Sequence, residues 1–78
     1  MKLKTFSKVN TATNTRYTVF DGDVFIEDFT VNYLDEQTKS RRAILKRISY
    51  EERGAVVQHV DVYKGQLEVT IQMKGATK

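Results

Sequence analysis

Several short stretches of the chain alternate apolar and polar positions, and a period of two predicts strands. The clearest pair is C-terminal. Residues 55–63 (AVVQHVDVY) set Val56, Gln58, Val60 and Val62 on one side and Val57, His59, Asp61 and Tyr63 on the other. Lys64-Gly65 supplies a two-residue turn. Residues 66–73 (QLEVTIQM) then turn Leu67, Val69, Ile71 and Met73 inward and Gln66, Glu68, Thr70 and Gln72 to solvent, which completes a hairpin pattern. Residues 74–78 read as a frayed end.

The N-terminal half gives a second set. Residues 2–9 (KLKTFSKV) alternate, and their lysines suit an edge strand. Residues 10–15 are small, polar and turn-forming, and residues 15–20 are rich in β-branched and aromatic side chains. Asp21-Gly22 follows as a hairpin signal, with positive φ expected at both central residues. Residues 23–34 (DVFIEDFTVNYL) form the longest strand-like run. Its apolar phase shifts at Glu27-Asp28, where a bulge would restore one continuous apolar face. Residues 35–38 read as a turn.

Residues 39–53 fit two readings. They are good helix formers, and Gly54 suits a helix end. The like-charge pairs Lys39/Arg42 and Arg42/Lys46 oppose a helix, and Ala43, Ile44, Leu45 and Ile48 make an incomplete stripe. A strand over about 40–49 is favoured, because it pairs the basic run with the acids near Glu27 and Asp28. Ser49-Tyr50-Glu51-Glu52 then has the spacing of a capping box opening a short helical turn. The expected fold is mainly β: a small antiparallel sheet or partly open barrel of five to six strands. The alternative is α+β, with one helix at about 39–53.

At 78 residues the chain is a single domain of modest burial. It has no cysteine, so no disulfide or thiolate metal site supports it. Stability then rests on the core or on self-association, and pairing through the edges at Lys2–Val9 or Gln66–Met73 would give a homodimer. Met1-Lys2-Leu3-Lys4 opens no long apolar run, so neither a signal peptide nor a membrane span is expected, and the expected location is cytoplasmic.

Net charge is only +3, but it is blocked along the chain. Residues 1–20 carry Lys2, Lys4, Lys8 and Arg16 and no acid. Residues 21–38 carry Asp21, Asp23, Glu27, Asp28, Asp35 and Glu36 and no base. Residues 39–50 carry Lys39, Arg41, Arg42, Lys46 and Arg47 and no acid. Such blocks suit neighbouring elements that pair by charge, or two faces that meet different partners.

The residues do not compose an enzyme's set, and no cofactor or metal is expected. His59 is the single histidine and points away from the better apolar face. Ser7, Ser40 and Ser49 lie in no nucleophile-elbow context, and the glycines form no phosphate loop. Asp21-Gly22-Asp23 runs straight into Val24-Phe25-Ile26, a turn rather than a calcium loop.

Binding remains. Lys39, Arg41, Arg42, Lys46 and Arg47, with Tyr33 and Tyr50 near them, are the candidate partner or nucleic-acid site. The low net charge and the surplus of tyrosines favour a protein partner. Small chains with this residue set resemble accessory proteins of phages and mobile elements, which implies an inhibitor or modulator that occupies a host protein's surface. A small basic nucleic-acid-binding protein is the alternative.

Overall fold

The computed structural model describes residues 1–33 and 38–73, with the backbone alone at 38–40. The expected turn before Thr38 and the frayed end at 74–78 lie outside the described residues. The elements run α1 (Leu3–Val9), β1 (Asn14–Asp21), β2 (Val24–Asn32), α2 (Thr38–Glu52), β3 (Val56–Tyr63) and β4 (Gln66–Gln72). The chain is mainly β, as its alternation predicts. The described strands form one four-stranded sheet of order β2-β1-β4-β3, not five or six strands and not a closing barrel. Nor is it wholly antiparallel. Both hairpins are antiparallel, but they meet through the parallel pair β1 and β4, with Tyr17 opposite Val69 and Val19 opposite Ile71. Among the described residues no helix is long and apolar enough to cross a membrane.

Two expected strands are helices. Residues 3–9 form α1, with Leu3 buried and Phe6 and Ser7 half-buried. Their i, i+3, i+4 spacing fits a helix as well as the alternation fits a strand. Only the start of this segment pairs with the sheet: Lys2 bridges Val56, and the Leu3 N–H donates to the Ala55 carbonyl at 2.8 Å. The favoured strand at 40–49 is the middle of α2, close to the alternative 39–53. Ser49 to Glu52 therefore form its last turn and open no new one. Gly54, at φ 85°, ends it. Its N–H donates to the Glu51 carbonyl and that of Ala55 to the Tyr50 carbonyl, the paired bonds of a Schellman cap that need a left-handed residue.

Both hairpin turns are present. At Lys64-Gly65 both residues have positive φ, 52° and 78°, as a type I′ turn demands. In the first hairpin the central residues are Gly22 and Asp23, and only Gly22 has positive φ, so the expectation for Asp21-Gly22 holds for the hairpin and not for the turn type. Gln72 clamps this tip onto β4. Its Oε1 accepts from the Gly22 N–H at 2.9 Å, and its Nε2 donates to the Gly22 carbonyl at 3.0 Å.

The bulge in β2 falls at Ile26 and not at Glu27-Asp28: Val19 faces Glu27 and Phe20 faces Phe25. It does not restore one apolar face. Phe29 and Val31 are buried, while Val24, Phe25 and Ile26 are 62%, 54% and 41% exposed. A second bulge at Gln58 puts Val57, Val60 and Val62 on one side of β3. The core lies between the helices and one sheet face, built on Leu3, Tyr17, Val19, Phe29, Val31, Tyr50, Val69 and Ile71.

Candidate binding groove between α2 and β2

The basic run lies on α2, and its members have different fates. Lys46 Nζ donates to Glu27 Oε1 at 2.7 Å, across to β2. Arg47 turns inward: its Nε donates to Glu51 Oε2 at 2.8 Å and its Nη1 to the Tyr33 hydroxyl. Burial works against the Arg47 charge, but the Tyr33 oxygen and Glu51 outweigh it, so its pKa lies above the ordinary value. Arg41 and Arg42 are exposed and meet no acid among the described residues. The Lys39 side chain, like Asp35 and Glu36, lies outside the described residues. The candidate residues thus do not form one surface. Arg47, Tyr33 and Tyr50 are bound into the fold, and Arg41 and Arg42 remain presented.

Tyr50 belongs to an aromatic stack. The Phe29 ring lies 5.4 Å from that of Tyr17 and 6.1 Å from that of Tyr50, both stacked. Arg53 covers the outer face of Tyr50 at 4.9 Å, and Lys46 Nζ stands 5.9 Å from the Phe29 ring. The Tyr50 hydroxyl donates to Glu27 Oε2 at 2.5 Å. Burial, then this bond, pushes the Tyr50 pKa up to about 12. The Lys46 and Tyr50 bonds hold the Glu27 carboxyl below its ordinary value.

The two shifts predict opposite pH limbs. Glu27 stabilises the fold above the unfolded carboxylate value of about 4.3, and that contribution is lost as pH falls through its lowered native value. Tyr50 stabilises the fold below pH 10.0 and loses that contribution as pH rises towards about 12. Two units correspond to roughly 2–3 kcal/mol. Urea midpoints should therefore fall across this alkaline window, and Tyr50→Phe should flatten the fall. An equal fall in the Phe variant would assign the alkaline limb elsewhere.

The open element beside α2 is β2. Among the described residues its single strand neighbour is β1, whereas the far edge strand, β3, is bridged at its start by Met1–Leu3. The Tyr33 N–H donates to the Thr13 carbonyl at 2.8 Å, which fixes the hydrogen-bonding parity of the ladder. Val31 and Phe29 then bond to β1, and Asp28 and Thr30 turn their N–H and C=O to the free edge. Between this strand and α2 lies a cavity of about 270 Å³, lined by Phe29, Thr30, Arg42, Ala43 and Lys46. Its floor is apolar and its rim is basic, with Lys46 already engaged by Glu27.

The periodic pattern did not single out Phe29, Thr30 or Phe25 for binding. The signal was the run Val24-Phe25-Ile26, since three apolar neighbours in a strand cannot all face one core. His59 is exposed on β3, Ser7 lies in α1, and the Ser49 hydroxyl accepts from Arg53. Among the described residues no three His, Asp or Glu side chains gather as metal ligands. No protein-family model matches the chain, and no curated protein or solved structure is similar enough to match it.

Proposed function

We propose that this chain is a non-catalytic protein-binding module that takes an extended segment of a partner as an added strand on β2, and acts by occupying that partner's surface. The observation that carries this reading is the edge of β2 at Asp28 and Thr30, whose outward backbone groups have no partner among the described residues, next to a groove under α2. Strand addition of this kind draws affinity from main-chain bonds and selectivity from neighbouring pockets. Exposed Val24, Phe25 and Ile26 extend the surface past the bulge. Nucleic-acid binding is the weaker reading. Tracking a phosphate backbone needs several uncompensated cations, and Lys46 and Arg47 are each already paired with a carboxylate.

A photo-crosslinking amino acid at Phe25 in the native host cell tests the proposal. The expected result is one adduct of defined mass that is lost when Thr30→Pro is added. Proline removes an N–H that bonds nothing inside the sheet and is tolerated on an edge. The same crosslinker at exposed Lys4 should give no adduct. An adduct indifferent to Thr30→Pro would overturn the reading. So would one of twice the chain's mass, which would assign the edge to a second copy.

A further inference from the structure

We infer that the added strand carries a carboxylate, placed to meet Arg42 at the rim of the α2–β2 groove. This inference rests on the strand-addition reading and names the chemistry of its partner.

Three observations converge. The groove floor is the Phe29 ring and Ala43, both mostly buried, so the space admits the aliphatic stem of a side chain. Of the two cations at the rim, Lys46 is neutralised by Glu27 at 2.7 Å and also faces the Phe29 ring. Arg42 has no carboxylate among the described residues, and Arg41 beside it on α2 is likewise exposed and unpaired. Among the described residues the groove therefore carries uncompensated positive charge above an apolar floor. A guanidinium binds a carboxylate with two parallel N–H donors, a fixed geometry that one side chain of a docked strand can satisfy.

Docking on Thr30 also sets the range. Side chains of an added strand stand about 5 Å from their neighbours on β2 and alternate between the two faces. The partner residue paired with Thr30 thus shares its open face, and the adjacent partner residue, beside Phe29, enters the groove. The fitting side chain is Glu, whose two methylenes cover Phe29 and Ala43 while its carboxylate reaches Arg42. A basic residue there would face Arg42 and Lys46 together. A polynucleotide is the other polyanion to weigh, but it needs a track of cations, and among the described residues this rim offers Arg42 outside the paired Lys46, with Arg41 next to it on α2.

The test is selection of a displayed random twelve-residue peptide library on the intact immobilised protein, run in parallel on Thr30→Pro and Arg42→Glu. Circular dichroism confirms that each variant keeps the wild-type fold. The expected outcome is enrichment of extended apolar peptides bearing Glu or Asp on the wild type, loss of enrichment on Thr30→Pro, and a switch to Lys- or Arg-bearing peptides on Arg42→Glu. Replacing the acid of a selected peptide by its amide should weaken binding roughly tenfold. Enrichment lost on Thr30→Pro but without acidic preference would overturn this inference and keep strand addition. Acidic peptides that bind Thr30→Pro unchanged would overturn strand addition itself. A mobility shift of a 20-nucleotide single strand at low salt, abolished by Arg42→Glu, would assign the rim to nucleic acid and overturn the inference.

Discussion

Phe29→Ala should cost about 3–4 kcal/mol and roughly halve the stability of the domain. Phe29 is the middle ring of a three-ring stack, and it is the residue on which α2 rests over β2. Truncation removes the transfer free energy of the ring, opens a void between Tyr17 and Tyr50, and deletes two aromatic pairs worth about 0.5–1.5 kcal/mol each beyond their burial. The cost stays short of the top of the phenylalanine range because the groove beside Phe29 lets solvent reach the void. A domain of this size has roughly 5–8 kcal/mol in total, so the loss consumes about half. Urea unfolding followed by far-ultraviolet circular dichroism checks it, with Phe29→Leu expected to recover all but about 1–1.5 kcal/mol. A loss under about 1 kcal/mol for Phe29→Ala would mean that the stack does not bear on α2 at all.

The same stack explains what could be read from the chain and what could not. Both hairpins were legible, because two-residue turns with glycine sit between alternating runs, and Val69 and Ile71 are buried as their phase requires. The parallel joining of β1 to β4 was not, since it depends on where α2 carries the chain and no local pattern records it. At 2–9 the two periods coincide over seven residues, so Leu3 and Ser7 satisfy both. At 39–53 the misreading has an electrostatic cause. The inward side of α2 reads Ala43, Arg47, Tyr50 and Glu51, and the Arg47–Glu51 bond stands where an apolar side chain was sought. The pairing of opposite charge blocks was sound in substance, since Lys46 meets Glu27, but it is made by a helix lying over the strand and not by a neighbouring strand. Of the candidate site, Arg41, Arg42 and Lys46 lie at or beside the groove, whereas Tyr33, Arg47 and Tyr50 serve the fold.

That inward ion pair yields the second large effect. Glu51→Ala should cost about 3 kcal/mol, and Arg47→Met about as much, while Arg47→Met/Glu51→Leu together should stay within about 1 kcal/mol of wild type. The two side chains are only 13% and 12% exposed, so each charge has left water and depends on the other. On an open helix surface an i,i+4 pair is worth a few tenths of a kcal/mol, and here the base precedes the acid, the weaker order. The helix alone therefore cannot account for the retention of the pair. What holds it is the penalty of stranding one charge. Without Glu51, Arg47 keeps the Tyr33 hydroxyl but loses its compensating charge, and without Arg47 a carboxylate sits beside buried Tyr17. The double variant replaces both with apolar groups and completes the stripe that the sequence lacks. Denaturant midpoints of the two singles and the double close the cycle. If the double lost the sum of the singles, the coupling would be zero and the two charges would not depend on each other. If each single lost under about 1 kcal/mol, water would have to reach this side of α2. Because Arg47 lies away from the groove rim, Arg47→Met/Glu51→Leu should also leave capture by the β2 edge unchanged, which separates the inward half of the basic run from the half that meets a partner.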